Sequence, residues 1–493
     1  VNTPKKILKG FFYTVGSGYI ARIGSLGLTI LIRRELSPGI FDDVILGVTV
    51  FMLLSCLREF GLPHALLHYQ DQVEEFVTTH FSLNLVITLA VSLLSCAVAA
   101  VLVWLFPQKF TWTVAQVVWI FSVLHAVRHI TSTSESLLRM EFEFGRLSLY
   151  HGLGTIIALL SALLAAKAGW DKWSLIIGGW GTVSVFSVVY VLFFSSAIWR
   201  DRPLRVWPLQ FDPVWTRRLL AYGVWIWGGW ILQTFVWWYD KLIVKLVDGS
   251  ENALAYYESA WWLVQIPTAI VTHIIFTYTN TLYSRYREDR QRLQAFFTQV
   301  MSLIVRVSAP LALVFVFNAR EVTALLGPEW EASTPILVWL AGYALVRPLL
   351  DDGHGLLWAL ADTQLSARIM AVQAGAALVL VPALGLWWGV RGVAYSMGMV
   401  TGIGALALSL GLRRYITVQW RRVFLVPAVA LVLAAGVGVA YGRWALDIVL
   451  ADFVLRSGAM MLVYAVVLVG LERNVLQDHL VQIRRIMRTS SPE

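Results

Sequence analysis

The chain has 493 residues, of which 58% are hydrophobic and only 14% charged, and its mean hydropathy is +0.69. Soluble proteins average about 25% charged residues, so there is too little polar surface here for a water-soluble globule, and a polytopic membrane protein is the class that remains. The net charge of +9 raises nucleic acid as a partner, but the basic residues sit at the ends of apolar runs rather than in one patch, so they set membrane orientation instead.

In chain order the apolar runs are 10–32, 44–57, 81–106, 114–136, 147–166, 175–198, 219–238, 254–278, 297–317, 335–350, 367–386, 392–412, 423–441 and 453–471. Each is near the ~20 residues that cross a hydrocarbon core as a helix. This predicts an all-α protein with about fourteen transmembrane helices. The first run is too long for a signal-peptide core and no small-residue cleavage site follows it, so it is expected to stay. Cys56 and Cys96 both lie inside apolar runs, and neither a disulfide framework nor a metal site follows.

Arginine asymmetry orients the chain. With the amino terminus inside, the inner loops collect Arg139 and Arg146, the Arg200–Arg218 cluster, Arg285–Arg292, Arg413–Arg422 and Arg473–Arg488, while the outer loops hold far fewer. Both termini are therefore expected in the cytoplasm. One inner loop, 64–80, lacks Lys and Arg and carries Asp71, Glu74 and Glu75. The basic loop divides the chain into an N-terminal lobe 1–199 with six helices, a cytoplasmic linker 200–218, a C-terminal lobe 219–412 with six more, and 413–493 with two helices and a tail. Similar Gly/Trp turns, Gly169–Trp173 and Trp387–Gly392, join the last two helices of each lobe. Repeats of this kind place a binding site between them.

Several stretches carry a resemblance. They are Arg34-Glu35-Leu36-Ser37-Pro38 with Phe41, Arg58-Glu59-Phe60-Gly61-Leu62, Leu137-Leu138-Arg139, Asp240-Lys241-Leu242-Ile243, Tyr256-Tyr257, Leu325-Leu326-Gly327 with Trp330, and Gly392-Val393-Ala394. Over nearly the whole chain up to the twelfth run, the sequence resembles the polysaccharide transporter, or O-antigen-type oligosaccharide flippase, family of the multidrug/oligosaccharidyl-lipid/polysaccharide exporter superfamily. Asp42 stands where that family usually has Gly, Ala255 where Gly is common, and the acidic inner loop where it is usually basic. The resemblance implies two lobes around a central cavity in the bacterial inner membrane. It also implies a substrate, an undecaprenyl-diphosphate-linked oligosaccharide passed from the inner to the outer leaflet by alternating access.

A diphosphate and its sugars cost tens of kcal/mol to desolvate, so a flippase needs cations and sugar donors along its path. Arg suits a diphosphate because its planar fork donates two parallel hydrogen bonds and never deprotonates. Arg22 lies mid-way along the first run and is expected to line the cavity, with a structural role bridging carbonyls as the bland reading. Arg58 is equally well explained as an interfacial pair with Glu59. Arg128 is flanked by His125 and His129, which share one helix face. That spacing suits a metal, but no Cys or carboxylate partner is evident, and polar-cavity or proton-linked use is the better alternative.

Arg306 lies mid-run, and Arg347 precedes Asp351 by four residues, so an intrahelical ion pair is the simpler reading there. Trp230, Trp237 and Lys241 can share one face. The tryptophans suit sugar rings but more commonly form an interfacial belt. Asp240, Lys241 and Asp351 are the candidates for a gate or for sensing a coupling cation.

A glycosyltransferase or polymerase needs a large outer loop or paired carboxylates, which are missing, and no phosphate-cradling Gly-Lys-Ser/Thr loop occurs. A non-enzymatic role without a cofactor is expected. H+, Na+ or the membrane potential would drive it, with membrane lipids and the glycosyltransferases or polymerase of the pathway as partners. A cation-coupled multidrug exporter of the same fold is the alternative.

Overall fold

The computed structural model describes residues 24–58, 60–129, 131–140, 144–194, 209–442 and 449–489. They are helical almost throughout. The first unit contains α1 (24–35), α2 (Pro38–Ser55), α3 (Leu62–His68), α4 (Val73–Leu105), α5 (Trp112–His129), α6 (Ser132–Met140), α7 (Phe144–Lys167), a π-helical stretch (Ser174–Gly181) that leads into α8 (Thr182–Phe194), and α9 (Pro213–Val247). Then follow α10 (Ala253–Arg285), α11 (Arg290–Phe317), α12 (Ala319–Ala324), α13 (Ser333–Ala359), α14 (Thr363–Leu412), α15 (Trp420–Tyr441) and α16 (Val449–Thr489). Among the described residues nine helices are long and apolar enough to cross a membrane, or ten if the bent α9 counts as one.

Where its residues are described, each apolar run lies almost wholly in helix, the first from Gly24 on and the sixth up to Phe194. At about 1.5 Å per residue α14 would be ~75 Å long, more than twice a ~30 Å core. It breaks at Gly389 (φ 60°, ψ −143°), inside the expected Trp387–Gly392 turn, leaving two stretches of spanning length. Large side chains such as Leu93, Trp104, Leu386 and Val432 stand outward, while Ser, Thr, Gly and Ala are common inside. This is the distribution that lipid, rather than water, selects.

The stretch 64–80 is not the acidic loop that the sequence suggests. It consists of α3, a 3-10 turn (Gln70–Gln72) and the first two turns of α4. Glu74 and Glu75 occupy the first turn of α4, where the helix dipole favours negative charge. His80 is wholly buried, with Nε2 3.0 Å from the Leu62 carbonyl oxygen and Nδ1 3.2 Å from Thr133 Oγ1.

The chain forms two compact units, Val1–Ala255 and Tyr256–Glu493. In the first, α2 ends in a 3-10 turn (Cys56–Arg58), and the chain reverses through Phe60 (φ 32°) and Gly61 (φ 61°) into α3. Helix α9 bends by 43° between Val224 and Ile226. The two breaks meet. A Cβ on Gly223 would strike the Phe60 carbonyl oxygen, and one on Gly61 would strike the Gly223 backbone. The Phe60 ring stacks on Trp227 with centroids 4.2 Å apart, and Trp227 Nε1 donates to the Cys56 carbonyl at 3.0 Å. Phe60 is thus held in a region that costs a non-glycine residue about 1–3 kcal/mol. Below the junction, Leu62, Leu66, Phe76, Leu137, Trp215 and Leu219 form one apolar core.

The second unit packs Tyr283 of α10, Phe297, Met301 and Ile304 of α11, Leu350 and Leu357 of α13, and Ile369 and Leu408 of α14 into its core. Ala430 and Ala434 let α15 lie against Tyr464 and Leu468 of α16. Asp362 caps α14, accepting from Leu365 N at 3.0 Å and from the Tyr415 hydroxyl at 2.7 Å.

Two predictions follow from these contacts. Gly61→Ala and Gly223→Ala should each destabilise the detergent-purified protein and so lower its melting temperature, Gly61→Ala costing about 1 to 2 kcal/mol from its left-handed backbone alone. Gly228→Ala, with nothing within 4 Å of the added methyl, should be neutral or stabilise by about 0.5–1 kcal/mol. The Tyr415 hydroxyl, and after it the Leu365 amide, hold the Asp362 carboxyl below its ordinary range. A depressed carboxylate stabilises the fold above its unfolded value of about 3.9, and that contribution is lost as pH falls through the lower folded value. Tyr415→Phe should therefore lower the melting temperature at pH 7 by more than it does near pH 2.

Candidate functional site

Arg58 sits on the 3-10 turn that ends α2 and is only 6% exposed. Facing it is the last turn and a half of α5, which carries His125, Arg128 and His129. His125 lies against Phe51 of α2 at 5.0 Å between ring centroids, and against His129 at 5.9 Å. The charges of Arg58 and Arg128 both bear on both imidazoles. Two guanidinium groups and two imidazoles are thus in electrostatic reach of one another, on the spans Pro38–Leu66 and Trp112–Leu138.

One turn further on, Glu135 accepts from Tyr150 at 3.1 Å and from Thr131 at 3.3 Å. The Nδ1 atom of His129 is buried without a hydrogen-bond partner among the described residues. Charged groups at this depth are costly unless polar groups meet them. Glu59, the expected partner of Arg58, and Arg22 lie outside the described residues.

The other sequence-named cations are placed differently. Arg306 forks onto Glu472, with Nε 2.7 Å from one carboxylate oxygen and Nη2 on the other, while Nη1 donates to the Ser302 carbonyl at 2.8 Å. Its donors are thus spent tying α11 to α16. Arg347 makes the i,i+4 pair with Asp351 at 2.8 Å. Lys241 is 2% exposed, with its ammonium 2.9 Å from the Trp237 carbonyl, 3.8 Å from Asp240 and 4.8 Å from the Trp238 ring centre. Trp230 and Trp237 stand outward at 39% and 36% exposure, so Lys241 does not share their surface.

The family described as "Polysaccharide biosynthesis protein" matches residues 31–335. The chain belongs to the polysaccharide biosynthesis protein family. The succinoglycan biosynthesis transport protein ExoT of Rhizobium meliloti (strain 1021) is 26% identical over 356 residues, 69% of this chain and 67% of its own. The teichuronic acid biosynthesis protein TuaB of Bacillus subtilis (strain 168) is 28% identical over 122 residues, 24% of this chain and 25% of its own.

Among solved structures, the lipid II flippase MurJ in an inward closed conformation superposes with a TM-score of 0.75 at 14% identity, over 94% of this chain and 99% of its own. An inward-facing multidrug resistance transporter of the MATE family superposes with 0.62 at 13%, over 79% and 94%. At such identities the likeness is one of fold. This polysaccharide biosynthesis protein thus shares the helical fold of those membrane proteins.

Within this family member, several functional-looking groups escaped the sequence reading. Asp42, noted only as a departure from the pattern, is 5% exposed; its Oδ1 accepts from Leu254 N at 3.1 Å and from Ala255 N at 3.2 Å, while Oδ2 takes Lys245. The two departures, Asp42 and Ala255, are thus bonded to each other. Asp352 is buried and accepts from Thr279 at 2.8 Å and Tyr283 at 2.6 Å. The signal for Glu472 was its position, an acid closing an apolar run.

Cutting one side of the α11–α16 fork gives a test. Arg306→Ala leaves the Glu472 carboxylate buried without its partner and should cost about 3–5 kcal/mol, whereas Arg306→Met with Glu472→Leu should come close to neutral. Thermal unfolding of both variants in detergent checks this.

Proposed function

We propose that the chain is a flippase which carries an undecaprenyl-diphosphate-linked oligosaccharide from the inner to the outer leaflet of a bacterial cytoplasmic membrane by alternating access, with both termini cytoplasmic. The observation that carries this reading is the convergence of Arg58, Arg128, His125 and His129 inside the membrane. Family membership supports a role in polysaccharide export, ExoT is named as a transport protein of that kind, and MurJ, which shares the fold, is named as a flippase for lipid II. Arg58 and Arg128 hold the diphosphate by charge-assisted hydrogen bonds, and the histidines supply further donors. Arg22 approaches the same headgroup from the first helix, and Trp230 and Trp237 offer faces to sugars.

A coupling cation, H+ or Na+, is seated at Asp352, since Asp351 and Asp240 already face Arg347 and Lys241 while Asp352 is met by hydroxyl groups. Glycosyltransferases or a polymerase of the same route supply and consume the substrate. A multidrug exporter of this fold moves organic cations, which a cluster of guanidinium groups repels.

Replacing Arg128 by Ala removes a costly membrane charge and should insert at least as well as wild type, yet fail to expose headgroup on the outer leaflet. Lys keeps the charge but loses the fork, so partial flipping is expected, with a deficit of about 1 to 3 kcal/mol. The measurement is outer-leaflet headgroup exposure normalised to inserted protein. Wild-type flipping by both Arg128→Ala and Arg58→Ala would remove the cluster from the substrate path.

A further inference from the structure

Away from that cluster, the outer end of the first unit holds a cavity of about 430 Å³ between α2, α4 and α9, within the ~300–1,000 Å³ of typical ligand sites. Leu53 and Leu54 line it from α2, Val98 and Leu102 from α4, and Leu242 and Leu246 from α9. Phe106 and Phe110, at either end of the turn that joins α4 to α5, line its outer mouth. Every lining side chain is apolar, so water inside would find no polar partner. Measured along α4, the lining from Val98 to Phe106 covers about 12 Å, close to the ~15 Å of one leaflet. The cavity therefore runs from the membrane surface through the depth occupied by a single hydrocarbon chain.

A cation stands at the mouth. Lys109 lies on the turn between Phe106 and Phe110, and its ammonium reaches 3.3 Å to the carbonyl of Lys245, which lies between Leu242 and Leu246. The other charged groups nearby are engaged elsewhere: Lys245 with Asp42, Asp43 with the Thr111 hydroxyl at 3.2 Å, and Lys172 with the Thr113 hydroxyl at 3.1 Å. The hydrogen-bond partner of Lys109 is a carbonyl rather than a carboxylate, and an ammonium has three donors.

From this juxtaposition we infer that the cavity is a binding site for an anionic phospholipid of the outer leaflet, one acyl chain lying among α2, α4 and α9 and the phosphate resting on Lys109. The site is separate from the cationic cluster and is not needed to explain transport. An apolar chain with a negative head matches both halves of it: hydrocarbon burial fills the groove, and the charge selects anionic over zwitterionic lipid by about fivefold for one lysine near the surface.

The test uses the full chain reconstituted in phosphatidylcholine vesicles with phosphatidylglycerol bearing a diazirine at mid-chain, and in parallel with phosphatidylcholine bearing the same label. After photolysis, adducts are mapped by peptide mass spectrometry. The expected result is phosphatidylglycerol adducts concentrated on 98–106 and 242–246, about fivefold above those from labelled phosphatidylcholine. Lys109→Gln, in an interhelical turn, should abolish that preference without changing thermal stability. Leu102→Trp should fill the groove and remove adducts at 242–246; if this variant fails to fold, Lys109→Gln alone decides. Equal labelling by the two lipids, or adducts spread evenly over outward positions such as Leu93, Leu164 and Val432, would overturn the assignment and leave only ordinary annular lipid.

Discussion

The rest of the structure depends on one constraint: a charge placed in hydrocarbon must find its partner within the protein. Most charges here obey it locally. Arg306 is matched to Glu472, Arg347 to Asp351, and Asp42 to Lys245 and two backbone amides. Each such match also joins elements distant in sequence or stiffens one helix, so the solution to the desolvation problem is at the same time the tertiary structure. Arg58 and Arg128 differ in their surroundings, because both bear on the imidazoles of His125 and His129. The anion proposed to bind there would bring opposite charge to the two guanidinium groups.

The cluster is positioned by irregular backbone. Arg58 is where it is because α2 tightens into a 3-10 turn and reverses at Phe60 and Gly61, and those residues are held by the bend of α9 through Gly223 and Trp227. Broken spans are tolerated where other protein covers the freed carbonyls, and the indole of Trp227 covers that of Cys56.

The helices were legible from hydropathy because lipid imposes a length and a composition on every span, and the Trp387–Gly392 break was legible because a glycine interrupts a run too long for one crossing. Arg128 with its flanking histidines was readable as a group, since helical spacing places them together. The partners across the fold were not: nothing local to Arg306 announces a carboxylate at 472, and nothing near Asp42 announces the amides of Leu254 and Ala255. Pairings of that kind are set by the packing of helices, which periodicity does not encode. The 64–80 stretch misled for a related reason, since Glu74 and Glu75 satisfy a helix start as readily as a solvated loop.

The bend in α9 also has a mechanical meaning. The arm from Ile226 to Val247 is about 33 Å long at 1.5 Å per residue, so any rotation at the contact with Gly61 would be levered, with that contact as the fulcrum. A change of about 10° at the fulcrum sweeps the far end through ~6 Å, close to one helical turn of ~5.4 Å. Lys245 lies near that far end, bound to the same carboxylate that holds the first amides of α10. A small angular change at the Gly61–Gly223 crossing is thus converted, by leverage alone, into a displacement large enough to separate or rejoin groups that a hydrogen bond holds within 3 Å or so.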